Sequence, residues 1–347
     1  MDTKMLGAIV IIIVVAAGVG AVVLLGPTLF GGTPRVAIVF ATGGLGDKSF
    51  NDGCYEGAVR ARNEFGVAFT YVEPTQISEY EGYLRTYAQH AGRAPYDVII
   101  SIGFDQADAL TKVANETPNQ RFAIVDMVVP LPNVSSLVFA ENEGSALVGA
   151  IAGLMTKTDK VGFIGGMDID LINKFAGGFV FGANWTKPGV NYTIGYTGNW
   201  VDTATGKALA DVMYNAGTDI IFAAAGRSGL GVFESAKEKT DKYVIGVDSP
   251  QMYLGCADPS NPAPPTVCLT SMLKRVDVAV YETIKDAIQG NFHGGIRVFD
   301  LENGGLGYEV NAALRPLPSN VTAIVEDLKA AIINGSITVP STKYWLP

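Results

Sequence analysis

The stretch RVAIVFATGGLGDKSFNDGCYEGAVRARNEF (35–65) decides the fold. Its opening RVAIVFA is a short, β-branched, apolar run of the kind that forms a strand buried on both faces. A glycine-rich turn follows. Beyond the turn, Cys54, Ala58, Ala61 and Phe65 recur at spacings of 4, 3 and 4, which draws a single apolar stripe along a helix. Strand, glycine loop and helix make one βα unit, and a parallel sheet is built by repeating it.

The chain repeats it. AFTYVE, a helix from about Ser78 to Ala91, DVIISIG (97–103), a helix opened by Asp105, RFAIVD (121–126) and SSLVFA (135–140) complete a first series. The small-residue helix EGSALVGAIAGLM then leads into a second: KVGFIGG (160–166), VNYTIGYTG, TDIIFAAAG (218–226), KYVIGVD (242–248) and TVCLTSML. A helix and strand between Val276 and Asp300 are too short for a third domain and are expected to return to the first series. The expected class is α/β with two Rossmann-like lobes, one over 35–140 plus 275–297 and the other over 141–274 plus 298–347.

Composition narrows the function. Of 347 residues, 25 are Lys or Arg and 34 are Asp or Glu, a net charge of −9 that would repel a phosphate backbone. Nucleic acid is therefore not an expected partner. Two His and three Cys leave little for a zinc site, and no cofactor is expected. From Met5 to Phe30 no charge interrupts the sequence, and the residues before Pro27 would span about 33 Å as a helix, one bilayer core. The first Cys is Cys54, so no lipoprotein cysteine closes this leader, and residues 1–34 read as a membrane anchor or signal segment with its linker, an uncleaved anchor being favoured. Six N-x-S/T sequons, from Asn115 to Asn334, suit an exported surface. Cys256 and Cys268 bracket a proline-rich loop, and a disulfide between them is expected, with two free thiols as the alternative.

In parallel α/β sheets ligands gather at the carboxyl ends of the strands. After the first strand come Asp47, Ser49, Phe50 and Asn51, at or before a helix N-terminus, with Phe50 suited to stack on something planar. Asp126 and Asp248 end equivalent strands and suit a polar ligand. Gly226 sits in a glycine turn whose N–H groups suit an oxygen-rich group, Trp200 offers a second stacking face, and Lys274 is the one cation at such a position.

GDKSFNDGCYEGA, VIISIGFDQADAL, FAIVD with PNVSSLVFAENEGSALVGAIAG, AAGRSGLGVFESAKE and IGVDSPQ together resemble the basic membrane protein family of ABC-transporter substrate-binding proteins, over nearly all of residues 35–340. The resemblance implies the type I periplasmic-binding fold with a three-segment hinge, and a purine-nucleoside receptor. It implies that Phe50 and Trp200 sandwich the base, that Asn51 and Asp126 bond base edges, and that Asp248, Lys274 and the backbone near Gly226 hold the ribose. Arg227 stands where relatives often carry Gly or another small residue. It further implies a monomeric protein that is anchored to the cell membrane, faces outward and delivers its ligand to a permease. A sugar or small signalling molecule in the same fold is one alternative. A nucleoside-processing enzyme is another, though no P-loop, dinucleotide fingerprint or nucleophile elbow is present, and His90 and His293 read as solvent-exposed.

Overall fold

The structure, a computed structural model, describes residues 33–90 and 94–343. The expected anchor lies outside the described residues. Among the described residues no helix is long and apolar enough to cross a membrane.

The first series folds as β1 (Arg35–Val39), α1 (Phe50–Phe65), β2 (Ala68–Val72), α2 (Tyr80–Gln89), β3 (Val98–Ile102), α3 (Ala107–Glu116), β4 (Phe122–Val125) and β5 (Val134–Phe139). The second runs α4 (Glu141–Met155), β6 (Lys160–Gly165), α5 (Asp170–Thr186), β7 (Asn191–Tyr196), α6 (Thr203–Asn215), β8 (Ile220–Ala224), α7 (Leu230–Lys237), β9 (Tyr243–Asp248) and β10 (Cys268–Lys274). The chain then crosses back through α8 (Val276–Ile288) and β11 (Gly295–Phe299), and crosses again to β12 (Leu306–Tyr308) and α9 (Ser319–Ile333).

Two six-stranded sheets result, in the orders β11-β5-β4-β3-β1-β2 and β12-β10-β9-β8-β6-β7. The first is parallel throughout, as expected for the returning strand β11. In the second, the short β12 pairs antiparallel with β10, a strand the sequence pattern did not reveal. The chain passes between sheets three times, after β5, after β10 and after β11. Because β11 runs to Phe299, the last passage falls a little beyond the expected boundary at 297/298.

Period-two alternation sends each strand's side chains to opposite layers. Val36, Ile38 and Phe40 join Cys54, Ala58 and Ala61 of α1 in one core, while Ala37 and Val39 meet Tyr80 and Leu84 of α2 and Leu110 of α3 in another. Cys54 is thus the buried small hydrophobe its position on the stripe implies. In the second sheet Val161, Phe163 and Phe222 face α4 and α5, whereas Ile164, Ile221 and Val244 face α6 and α7.

Helices α4 and α5 pack backbone to backbone. A Cβ built at Gly182 would meet the Ala146 carbonyl oxygen at 1.9 Å, and one at Gly149 would meet that of Phe179 at 2.1 Å. Side chains cannot be added there without separating the helices. Gly182→Val is expected to destabilise the fold by at least about 2 kcal/mol, measured by urea unfolding, because overpacking adds to the loss of buried contact.

The expected disulfide is absent: Cys256 and Cys268 are buried free thiols. The proline-rich loop is closed instead by an antiparallel bridge between Cys256 and Thr266, while Cys268 opens β10 with its thiol directed at the Thr270 carbonyl, 3.2 Å away. Thiol titration in denaturant without reductant should find all three cysteines reactive; recovery of only one would restore the bridge.

Candidate ligand-binding cleft

Strand ends, turns and helix starts of both sheets converge on a cleft. Asp47, Phe50, Asn51, Asp126, Trp200, Gly226, Asp248 and Lys274 all line it. Ser49 does not. It is fully buried behind the wall, where its hydroxyl donates to Asp248 Oδ2 at 2.5 Å.

The loop before α1 is organised by Asp47. Its Oδ1 accepts from the N–H groups of Ser49 and Asp52, and its Oδ2 from Asn51 N–H and Asn51 Nδ2. Burial raises its pKa, and these backbone donors oppose the rise. Asn51 Oδ1 in turn accepts from the N–H of Ala41. Asp47 and Ser49 are therefore positioning residues, and much of the Asn51 amide is spent on its own loop.

Asp126 and Asp248 share a feature beyond their equivalent strand ends. Both adopt the left-handed backbone region, with φ of 72° and 63°. Such a conformation costs a non-glycine residue roughly 1–2 kcal/mol and is kept where the surroundings require it. The Asp126 carboxylate pairs with Lys274, and that of Asp248 accepts from the Ser49 hydroxyl.

Lys274 is almost fully buried, and both Asp126 oxygens come close to its Nζ, Oδ1 at 2.7 Å, while Glu141 Oε1 is 3.2 Å away. Lys174 reaches the other Glu141 oxygen at 3.1 Å. Burial works against the Lys274 charge, but Asp126, Glu141 and Asp248 outweigh it and hold the ammonium above its usual range. Burial raises the Asp126 carboxyl despite Lys274, and pushes Asp248 up to about 6 against the pull of Lys274 and Ser49. The ammonium also lies 5.3 Å from the Phe50 ring centre and 5.5 Å from that of Phe175.

The other end of the cleft is built around Trp200. Its ring lies against Gly166, where a Cβ would come within 2.1 Å, so the glycine after β6 makes room for the indole. From the first lobe Phe104 meets it edge to face at 6.4 Å. Beside Phe104, Asp105 Oδ2 accepts from the Tyr80 hydroxyl at 3.1 Å, and burial raises its pKa. Two polar atoms of the lining are buried without a partner among the described residues: Asp105 Oδ1 and Arg227 Nε.

Phe104, Asp105 and Phe175 were not singled out in the sequence. GFDQ directly follows β3, so the strand-end rule applied there as it was elsewhere would have found the first two. Phe175 lies inside α5 on an ordinary core stripe and carries no such signal. His293 is exposed as expected, but His90 is only half exposed and closes α2.

Residues 35–343 match the profile of the Bmp family, described as PnrA-like ABC-transporter substrate-binding proteins. The chain belongs to that family. It is 37% identical over 320 residues to the ABC transporter nucleoside-binding protein BmpA of Lactococcus lactis, covering 88% of this chain and 89% of the relative. An uncharacterized lipoprotein of Pyrococcus abyssi is 34% identical over 288 residues, 79% of this chain and 68% of that one. A solved ABC-transporter solute-binding protein from Aeropyrum pernix superposes with a TM-score of 0.78 at 31% identity, covering 88% of this chain and 94% of that one. This Bmp protein is thus a type I periplasmic-binding α/β protein whose role is to bind a solute for an ABC transporter, and not an enzyme. A small-molecule ligand and permease partners follow from membership, and relatives named as lipoproteins accord with attachment to a membrane.

The raised Asp248 pKa has a consequence for stability. Its ordinary value is 3.8, so between about pH 4 and 6 the folded state holds a proton that the unfolded state has released. Stability from this group is present below pH 4 and is lost as the pH rises through about 6. Asp248→Asn should therefore gain stability relative to the parent between pH 4 and pH 7, by up to about 3 kcal/mol. Urea unfolding of both proteins across that range measures it, and a constant difference would contradict the raised value.

Proposed function

We propose that this Bmp protein binds a purine nucleoside in the cleft and presents it to a membrane permease. The observation that carries the reading is the division of one cleft into two chemically different ends. Trp200 and Phe104 line one part, Asp126, Asp248 and Lys274 are grouped in another, and Phe50 lies 5.3 Å from the Lys274 ammonium. A flat heterocycle suits the first end, stacked between Phe50 and Trp200. A ribose suits the second, because hydroxyl donors complement carboxylate acceptors.

The resemblance places Asp126 on the base edge. Its contact with Lys274 favours the sugar end instead, and Asp105 beside Phe104 is then the carboxylate nearer the base. A phosphate is disfavoured, since Lys274 and Lys174 already face three carboxylates, Asp126, Glu141 and Asp248, leaving an excess of negative charge. Nucleosides are favoured over nucleotides. The name of the Lactococcus lactis relative points the same way.

Both lobes contribute to the lining, so a bound ligand has greater affinity for the closed arrangement and shifts the population toward it. In this reading the protein acts as a monomer, held at the cell membrane by its N-terminal segment with the binding lobes outside the cell.

Calorimetry of the protein with guanosine, inosine and adenosine, and with arabinose and galactose as controls, tests the assignment. Heat from at least one nucleoside is expected, with none from either sugar. Trp200→Ala should weaken nucleoside binding by roughly 10- to 100-fold, the worth of one stacking face. Binding of a sugar alone would replace the nucleoside with the competing ligand class.

A further inference from the structure

Tyr80 opens α2 and does not line the cleft, yet its hydroxyl is tied to two of the loops that do. Its ring is fully buried in the apolar core that holds Val39, Leu84 and Leu110. Phenylalanine would fill the same space, so packing does not account for the hydroxyl. That oxygen accepts from the Thr42 N–H at 3.0 Å and donates to Asp105 Oδ2 at 3.1 Å. Thr42 belongs to the loop after β1, where the preceding amide, Ala41 N–H, is held by Asn51 Oδ1. Asp105 belongs to the turn after β3. A single buried hydroxyl thus joins both loops beneath the lining.

The first donor sets the direction of this chain of bonds. A backbone N–H can only donate, so the Tyr80 oxygen accepts from Thr42 and its own proton is left for Asp105. Burial and the Asp105 charge hold the phenol above its ordinary range, which keeps that proton on the oxygen. Asp105 Oδ2 therefore has its bond made, while Oδ1 is buried in the lining with no partner among the described residues. Gly103 leaves the space beside Oδ1 open: its φ is 110°, and a Cβ built there would fall 3.1 Å from that oxygen.

Resting on the nucleoside reading for its ligand, we infer that Tyr80 is a positioning residue of the cleft, whose hydroxyl holds Asp105 as an acceptor with Oδ1 left for a ligand donor. Every nucleoside carries such donors, in the N–H groups of the base or the hydroxyls of the ribose, so Tyr80 supports binding without choosing among bases. Its hydroxyl also affects when Asp105 is charged. Burial raises the Asp105 carboxyl, and the Tyr80 donor and the Asp105 N–H oppose the rise. Tyr80, from α2, is the titratable group bonded to it, and no charged side chain contributes to the balance.

Tyr80→Phe removes the hydroxyl and keeps the ring. Support of the two loops alone and action through Asp105 differ in what that change does. Loosened loops weaken binding by the same factor at every pH and whatever stands at position 105. Action through Asp105 makes the loss depend on pH and vanish once Asp105 is replaced. Calorimetric titration of the full chain, Tyr80→Phe, Asp105→Asn and the double variant with guanosine, inosine and adenosine, from pH 5 to pH 8, separates the two.

At pH 7 Tyr80→Phe is expected to bind roughly tenfold more weakly than the parent, the worth of one hydrogen bond to a charged group. The deficit should widen toward pH 5, because a carboxyl deprived of its donor takes up a proton at higher pH. Asp248 is present in all four proteins, so its titration cancels in the comparison. The double variant should bind no more weakly than Asp105→Asn alone. An unchanged affinity in Tyr80→Phe, a deficit equal at every pH, or losses that multiply in the double variant overturns the inference and leaves the nucleoside reading intact. Failure of all three nucleosides to bind the parent overturns both. Urea unfolding reports whether Tyr80→Phe remains folded, and Asp105→Asn with the affinity of the parent overturns the inference by itself.

Discussion

The arrangement depends on one buried ammonium. Lys274 ends β10, the last residue before the chain leaves the second sheet for α8; Glu141 opens α4, just after the chain has left the first sheet; and Asp126 directly follows β4 in the first lobe. Two passages of the chain between lobes therefore meet at a single charge cluster. Desolvation alone would discharge a lysine at this depth, and only the surrounding carboxylates keep it charged. Those carboxylates need it equally, since removing one member of a buried ionic group strands the others. Mutual dependence of this kind fixes where the lobes can meet, and with it the geometry of the cleft.

Around this cluster the loops are held by polar contacts between the lobes rather than by a shared apolar seam alone. Ser49 donates to Asp248, Gln251 donates to the Lys48 carbonyl at 2.7 Å, and Ser249 donates to the Ser49 carbonyl at 3.1 Å. All three bonds involve the turn that enters α1. Directional bonds can be broken and remade with little change in packing, whereas the dense α4 and α5 pair cannot yield. A rigid core next to exchangeable contacts is what hinge-like opening requires.

Much of this was legible in the sequence because it rests on local periodicity. The apolar runs at 35–41, 97–103 and 160–166 are strands, and the stripe carrying Cys54 is buried. The return of the chain after Val276 followed from length alone. What sequence could not supply was the direction of side chains near a helix start. Asp47, Ser49, Phe50 and Asn51 stand together in one loop, yet only the fold determines that Asp47 and Ser49 serve the wall while Phe50 lines the cavity. The cysteines failed for a related reason: closeness in sequence across a loop suggested a bridge, but the strand pairing put Thr266 opposite Cys256. Strand β12 was missed because its three residues are too few to show a period.

The unpaired atoms bear on how a ligand drives closure. The Lys274 to Asp126 contact already joins the lobes without a ligand, so a ligand adds little by duplicating it. Asp105 Oδ1 belongs to the first lobe and Arg227 Nε to the second, and neither has a partner among the described residues. Burying such atoms penalises the closed form, whereas an open cleft would let water reach them. A ligand that pairs with them removes the penalty from the closed state alone, and that difference in affinity is what shifts the population. In the proposed reading, stacking between Phe50 and Trp200 would add affinity for almost any flat ring. Discrimination between rings has to come from the few polar atoms that have no partner among the described residues.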